Sequence, residues 1–226
     1  MLLTVLGGCG AWPAGYATVP RLLERTTAER VDAVFVSHGH PDHCADLNPL
    51  LRARALSGVP AAPVPVYAPP AAVDAVLALD RPGMLADAYV LHEFTAGSGL
   101  DIGPFRADTC LLPHWVPNAG IRLTAGHRVL AYTGDTGPSP DIVTLARGAD
   151  LLLAEATYLD RVPDEAQRYL SSARQAGQHA KNADAARLLL THLWPATDPA
   201  AACAAAADAY DGAISVAAPG LTLDLS

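Results

Sequence analysis

Lysine is almost missing from this chain. Lys181 is the only one, and Lys and Arg together number 15 against 23 Asp and Glu, for a net charge of -8. A polynucleotide-binding surface must neutralise phosphates with basic side chains, so a long nucleic acid is a poor substrate for such a composition, and a small molecule is the better one. Cysteine is also sparse. Cys9, Cys44, Cys110 and Cys203 form no C-x-x-C pair, which argues against a disulfide framework and for a reducing compartment. The apolar start, Met1 to Gly8, lacks a basic leader and is too short for a signal peptide or a span. These absences together predict a cytoplasmic protein with no membrane partner. Low-complexity linkers and repeats of about 20 to 50 residues are lacking too, which predicts one domain over residues 1-226.

What is present is apolar. At 51% hydrophobic residues, a chain of 226 can bury a sizeable core. Its densest chemistry follows the run Val31, Ala33, Val34, Phe35, Val36, which reads as a strand covered on both faces. That run leads into Ser37-His38-Gly39-His40-Pro41-Asp42-His43, three imidazoles and a carboxylate within six residues. Alternate residues of extended chain point the same way, so His38 and His40 can grip one ion together. Pro41 then bends the path and turns Asp42 and His43 toward a second position. Cys44 stands beside them and reads as a small buried residue.

Along the rest of the chain, Leu2 to Leu6 reads as a strand, followed by a glycine turn (Gly7, Gly8, Gly10) and a helix from Thr18 to Thr26. Asn48 as N-cap and Pro49 at the first helical position predict a helix to Ser57. Val64 to Ala68 is a strand and Ala71 to Leu79 an apolar helix. Tyr89 to Phe94, Phe105 to Thr109, Ala119 to Leu123 and Arg128 to Tyr132 have the spacing of an antiparallel sheet. Helices over 141-147, 172-183 and 199-210 then alternate with strands at Leu151 to Glu155, Leu188 to His192 and Ile214 to Ala217. Strands followed by helices in two halves predict an α/β (α+β) fold of two sheets packed face to face with helices outside.

Two ions need more ligands than one loop provides, and strand ends elsewhere offer them. His114, Asp135 and His192 each follow an apolar run, where a sheet would present them at a common rim. Alone, each has a plain alternative: a histidine after a strand is more often a hydrogen-bonded core residue, and the Asp of Gly134-Asp135-Thr136-Gly137 a turn former. Glu155 ends an apolar strand. It is either a partner of a ligand histidine, bonded to the ring nitrogen that faces away from the metal, or a salt-bridged or capping acid.

The ordered set His38, His40, Asp42, His43, His114, Asp135, His192 resembles the His-x-His-x-Asp-His, His, Asp, His signature of the metallo-β-lactamase superfamily over nearly the whole chain. The resemblance implies a four-layer αββα sandwich with a dinuclear site on one rim. His38, His40 and His114 would hold the first metal, Asp42, His43 and His192 the second, and Asp135 would bridge them. Two Zn2+ ions suit such ligands, with Mn2+ or Fe as alternatives. A hydroxide shared between the ions would be the nucleophile, with Asp42 and Asp135 as catalytic carboxylates that orient it.

Enzymes that destroy β-lactams generally lack the bridging Asp, and the di-iron oxygen reductases carry Glu where this chain has His40. Gly134 to Gly137 and Leu153-Ala154-Glu155-Ala156-Thr157-Tyr158 look like the ribonuclease Z and phosphodiesterase branch. Three features depart from that branch. Ala154 and Leu170 stand where it has histidines implicated in leaving-group departure, no Gly/Lys-rich arm for tRNA is visible, and the N-terminal β-hairpin expected between Pro13 and Ala14 is either lost from the natural chain or missing from this sequence. Its loss would leave an unpaired or repaired edge near Leu2 to Leu6. The reading is therefore a metal-dependent phosphodiesterase. The alternatives are a lactonase- or thioesterase-like acyl hydrolase on the same site, or a metal-binding protein that has lost turnover; a homodimer is compatible with all three. Of the remaining histidines, His92 reads as structural, His127 as a hairpin tip and His179 as surface.

Overall fold

The computed structural model describes residues 1-7 and 18-225, so Gly8, Cys9, Gly10 and the step from Pro13 to Ala14 lie outside the described residues. The strands in chain order are β1 (Leu2–Thr4), β2 (Val34–Phe35), β3 (Val64–Ala68), β4 (Tyr89–Glu93), β5 (Gly99–Ile102), β6 (Phe105–Leu112), β7 (Asn118–Ala125), β8 (Arg128–Tyr132), β9 (Leu151–Glu155), β10 (Arg187–Thr191), β11 (Ala213–Val216) and β12 (Thr222–Asp224). The helices are α1 (Thr18–Leu23), α2 (Pro41–Cys44), α3 (Leu47–Leu56), α4 (Asp74–Leu77), α5 (Pro140–Leu145), α6 (Ala173–Asn182) and α7 (Pro199–Ala207).

Seven strands form the larger sheet in the order β11-β10-β9-β8-β7-β6-β5. Its half from β5 to β8 is antiparallel and its half from β8 to β11 parallel. The two-residue period decides what each face covers. Leu152, Ala154, Leu188 and Leu190 point outward into a core shared with α5, α6 and α7. Leu151, Leu153 and Leu189 point inward against Leu3, Val5, Leu223 and Leu225 of the paired chain ends. Further along the same inner face, Ala107, Ile121 and Leu123 meet Phe35 and Tyr67 of the three-stranded parallel sheet β2-β3-β4. The far side of that sheet, Val64, Val66 and Ala68, is covered by Leu47 and Leu51 of α3 and Val76 of α4. The layers are therefore helix, sheet, sheet, helix, the αββα sandwich.

Several elements differ from the sequence reading. β4 runs parallel to β3, with Val66 opposite Leu91, because the connection through α4 is a crossover that returns the chain to the same end of the sheet. α4 is a single turn, since Ala71 adopts a left-handed φ of 61° and interrupts the expected helix. α3 starts at Leu47, ahead of the Asn48-Pro49 signal, and the Asp46 carboxylate at its N-cap position turns away to accept the amides of Thr18 and Val19 at the start of α1. β5 and β12 had no periodic signal. β12 pairs antiparallel with β1, Leu3 opposite Leu223, so the expected edge near Leu2 to Leu6 is a repaired one.

Candidate metal centre

Every candidate ligand sits just beyond the C-terminal end of a strand. β2 delivers His38, and His40 takes the N-cap position of α2, where Pro41 at the first helical position places Asp42 and His43 on one short turn. β6 leads to His114, β8 to Asp135 and β10 to His192. Loop-to-loop bonds hold this rim: Ala119 donates its amide to Ser37 O at 2.9 Å across the two sheets, and Gly137 to Pro113 O at 2.9 Å between the His114 and Asp135 loops. The turn before Asp135 requires glycine, because Gly134 has a φ of 60° and a Cβ there would lie 2.2 Å from Asn118 Oδ1. Asn118, fully buried, donates its amide to Thr133 O at 3.0 Å in the same turn.

The structure brings all seven residues together in two groups, His38, His40, His114, Asp135 and Asp42, His43, Asp135, His192, each with ligand atoms within 4.8 Å of one another. Asp135 belongs to both. Its Oδ2 lies 3.8 Å from His38 Nε2, 3.9 Å from His114 Nε2, 3.3 Å from His43 Nε2 and 2.9 Å from His192 Nε2. Asp42 Oδ2 lies 3.4 Å from His43 Nε2 and 3.6 Å from His192 Nε2. His114 Nε2 and His40 Nδ1 face each other at 3.1 Å. Two nitrogens on one tetrahedral zinc at about 2.0–2.1 Å are separated by about 3.3 Å, so this spacing fits a shared ion.

Three buried nitrogens, His38 Nε2, His43 Nε2 and His192 Nε2, make no well-aligned hydrogen bond and face the Asp135 carboxylate instead. Buried polar atoms are rarely left unpaired, and orphans converging on one carboxylate fit a divalent cation. In His38, His114 and His192 the opposite ring nitrogen is tied down, as ligand histidines require. His114 Nδ1 donates to Tyr169 O at 2.9 Å, His38 Nδ1 lies 3.1 Å from Ser37 Oγ, and His192 Nδ1 lies 2.7 Å from Thr157 Oγ1. His192 itself has a φ of 63°, a left-handed backbone uncommon for a non-glycine residue.

The two groups differ electrostatically. Burial and the neighbouring His43 ring pull His38 down to about 2, and burial pulls His114 down as well. Burial also opposes protonation of His43 and His192, but the Asp135 and Asp42 carboxylates outweigh it and raise them to about 9 and about 10. Burial would lift Asp135, yet the His192 and His43 rings hold it well below the usual carboxylate range. Glu155 is 1% exposed, and burial pushes it up to about 8 despite the pull of the His192 ring.

Cys44 is buried among Val36, Leu47 and Val66 and belongs to neither group. His127 sits at the β7-β8 hairpin tip, and His92 is exposed but stacks on Tyr67 at 5.0 Å. His179 is half-buried in α6, where burial lowers it to about 4, so the surface expectation is corrected. Thr157, Ser171 and Tyr169 were not singled out in the sequence. A hydroxyl two residues beyond a strand-ending Glu was the available signal for Thr157.

Residues 10-193 match the family model of the beta-lactamase superfamily domain, so the chain belongs to the metallo-β-lactamase superfamily and is a metallo-hydrolase of that group. Among its relatives are the probable metallo-hydrolase YhfI of Bacillus subtilis, 28% identical over 85% of this chain and 87% of the relative, and ribonuclease BN of Cronobacter sakazakii, 28% identical over 81% and 79%. The crystal structure of YhfI superimposes with a TM-score of 0.87 at 25% identity, covering 99% of each chain. That of human tRNase Z, short form, has the same fold, with a TM-score of 0.78 at 24% identity over 100% of each chain. Proteins named for ribonuclease Z activity are among its relatives, including ribonuclease Z of Myxococcus xanthus, 26% identical over 93% of this chain and 86% of the relative.

Proposed function

We propose that the chain hydrolyses a phosphodiester in a small-molecule substrate at a dinuclear centre, with zinc as the first choice of metal and manganese or iron as alternatives. The observation that carries this reading is the position of Asp135 Oδ2 within 3.9 Å of four imidazole Nε2 atoms drawn from both ligand groups. Two divalent ions held there would supply a water acidic enough to attack at neutral pH and positive charge for the phosphoryl oxygens. Asp135, which belongs to both ligand groups, and Asp42, which belongs to the second, would help hold the ions and so would line the place of that water. Beside His114, Trp115 is 52% exposed and its ring lies 5.1 Å from that of Tyr169, over which the Arg168 guanidinium sits at 5.8 Å. This exposed stack offers a platform for the organic part of the substrate.

Leaving-group protonation falls to water or to a residue other than Ala154 and Leu170. Ala154 is buried in the outer core and Leu170 in an apolar cluster with Val162 and Ala166, so neither position offers a proton. The free Cys44, Cys110 and Cys203 support a cytoplasmic setting. The test is metal analysis joined to turnover of bis(4-nitrophenyl) phosphate with zinc or manganese. Uptake of two equivalents and turnover are expected, and Asp135→Ala should lower turnover by about 100-fold or more. Fewer than one metal equivalent, or no cleavage by the loaded protein, overturns the reading. Tight metal binding without cleavage of phosphodiester, thioester or lactone would leave a metal-binding protein that has lost turnover.

A further inference from the structure

We propose that Thr157 and Glu155 form a relay that positions His192, Thr157 through its hydroxyl and Glu155 through its carboxylate, and so sets the affinity of the second metal position independently of the first. The inference rests on the reading of Asp42, His43, Asp135 and His192 as one ion's ligands.

The relay is enclosed. Glu155, Thr157, Ser171 and His192 are all buried. Thr157 Oγ1 reaches both His192 Nδ1, at 2.7 Å, and Glu155 Oε1. The proton count fixes the direction. An imidazole that gives its Nε2 lone pair to a cation carries its one remaining N–H hydrogen on Nδ1, so His192 donates to Thr157. Thr157 has a single hydroxyl hydrogen, and Glu155 Oε1 accepts it. Glu155 is held in turn: its Oε2 accepts the Ser171 amide at 2.7 Å, immediately before the Ser172 cap of α6, and its Oε1 accepts the Thr157 amide at 3.4 Å. Both Glu155 oxygens accept hydrogen bonds, the pattern of its ionised form, so a cation on His192 would favour that form over the neutral acid that burial otherwise promotes, with the carboxylate braced against a ten-residue helix.

His192 has a left-handed backbone, and its Nδ1 is held by the Thr157 hydroxyl, so that hydroxyl fixes the ring's rotation. The first group does not use the relay: His114 is held by the Tyr169 carbonyl and His38 lies against Ser37. Loss of the Thr157 hydroxyl should therefore be felt at one metal position only.

The test is a zinc competition titration against a chromophoric chelator, run alongside melting of the metal-free protein. Thr157→Val keeps the side-chain shape and removes the hydroxyl. Its second zinc should bind about 10–100-fold more weakly, with the first unchanged, while Thr157→Ser restores the second. Glu155→Gln, which keeps an acceptor without the charge, should fall between them and stands in if Thr157→Val does not fold. Wild-type affinity for both ions in Thr157→Val, equal weakening of both ions, or a Thr157→Ser as weak as Thr157→Val would each overturn the relay. A wild-type chain that takes up fewer than two ions removes the second position and the relay with it. A chain that takes up two ions, shows the second-ion effect and cleaves no phosphodiester sinks the substrate reading alone.

Discussion

At the scale of residues, the two ligand groups face an incoming cation in different protonation states. At pH 7 His38 and His114 are already neutral, whereas His43 and His192, raised to about 9 and about 10, carry protons that an ion must displace. Filling of the second position therefore releases protons, and its affinity climbs as pH rises toward about 9–10. Calorimetry in buffers of different ionisation enthalpy should show that release, and a titration near pH 6 should show the first position filling alone; pH-independent binding of both ions would contradict it. Away from the site, His179 is held near 4 against a normal value of 6.5. Its neutral form is favoured by folding, so that contribution is complete above about pH 6.5 and lost as pH falls toward 4. The melting temperature should fall over that window, and less steeply in His179→Gln.

At the scale of elements, strands were readable wherever a period of two or a buried apolar run was strong. Val64–Ala68 and Leu151–Glu155 match the sequence reading residue for residue, and the ligand loop was legible because four donors lie within six residues. Direction was not legible. Nothing local to Tyr89–Glu93 tells a parallel neighbour from an antiparallel one, because that is decided by a crossover elsewhere in the chain. Short pieces such as β5 and β12 gain their form from the partner strand. Hydroxyls were harder still: Thr157 looks like any threonine until β9 and β10 bring Thr191 opposite Glu155. Helix crossings show the same dependence on tertiary context. Gly177 of α6 is buried, and a Cβ there would meet Ala206 O of α7 at 2.3 Å. Gly177→Ala should therefore destabilise the protein by about 1–3 kcal/mol, read by chemical denaturation, while leaving metal content unchanged.

At the scale of the whole molecule, the chain ends close against the inner face of the larger sheet. Leu225 is fully buried there, and its amide donates to Met1 O at 2.8 Å. Leu225→Ala should remove about 2–5 kcal/mol of stability, although the residue lies far along the chain from every ligand; a loss below about 0.5 kcal/mol would show that the paired ends are dispensable. Metal acts on the same balance. Zinc should raise the melting temperature and a chelator reverse the rise, because a cation that grips the folded site shifts unfolding by mass action.

The size of that thermal shift depends on how the donors are distributed along the chain. His38, His40, Asp42 and His43 are neighbours in sequence, whereas His114, Asp135 and His192 reach the rim only when the sheets have formed. The unfolded polypeptide therefore keeps a local chelating loop of its own. Zinc captured there offsets part of the stabilisation of the folded state, and the ion can be aboard before the sandwich closes around it.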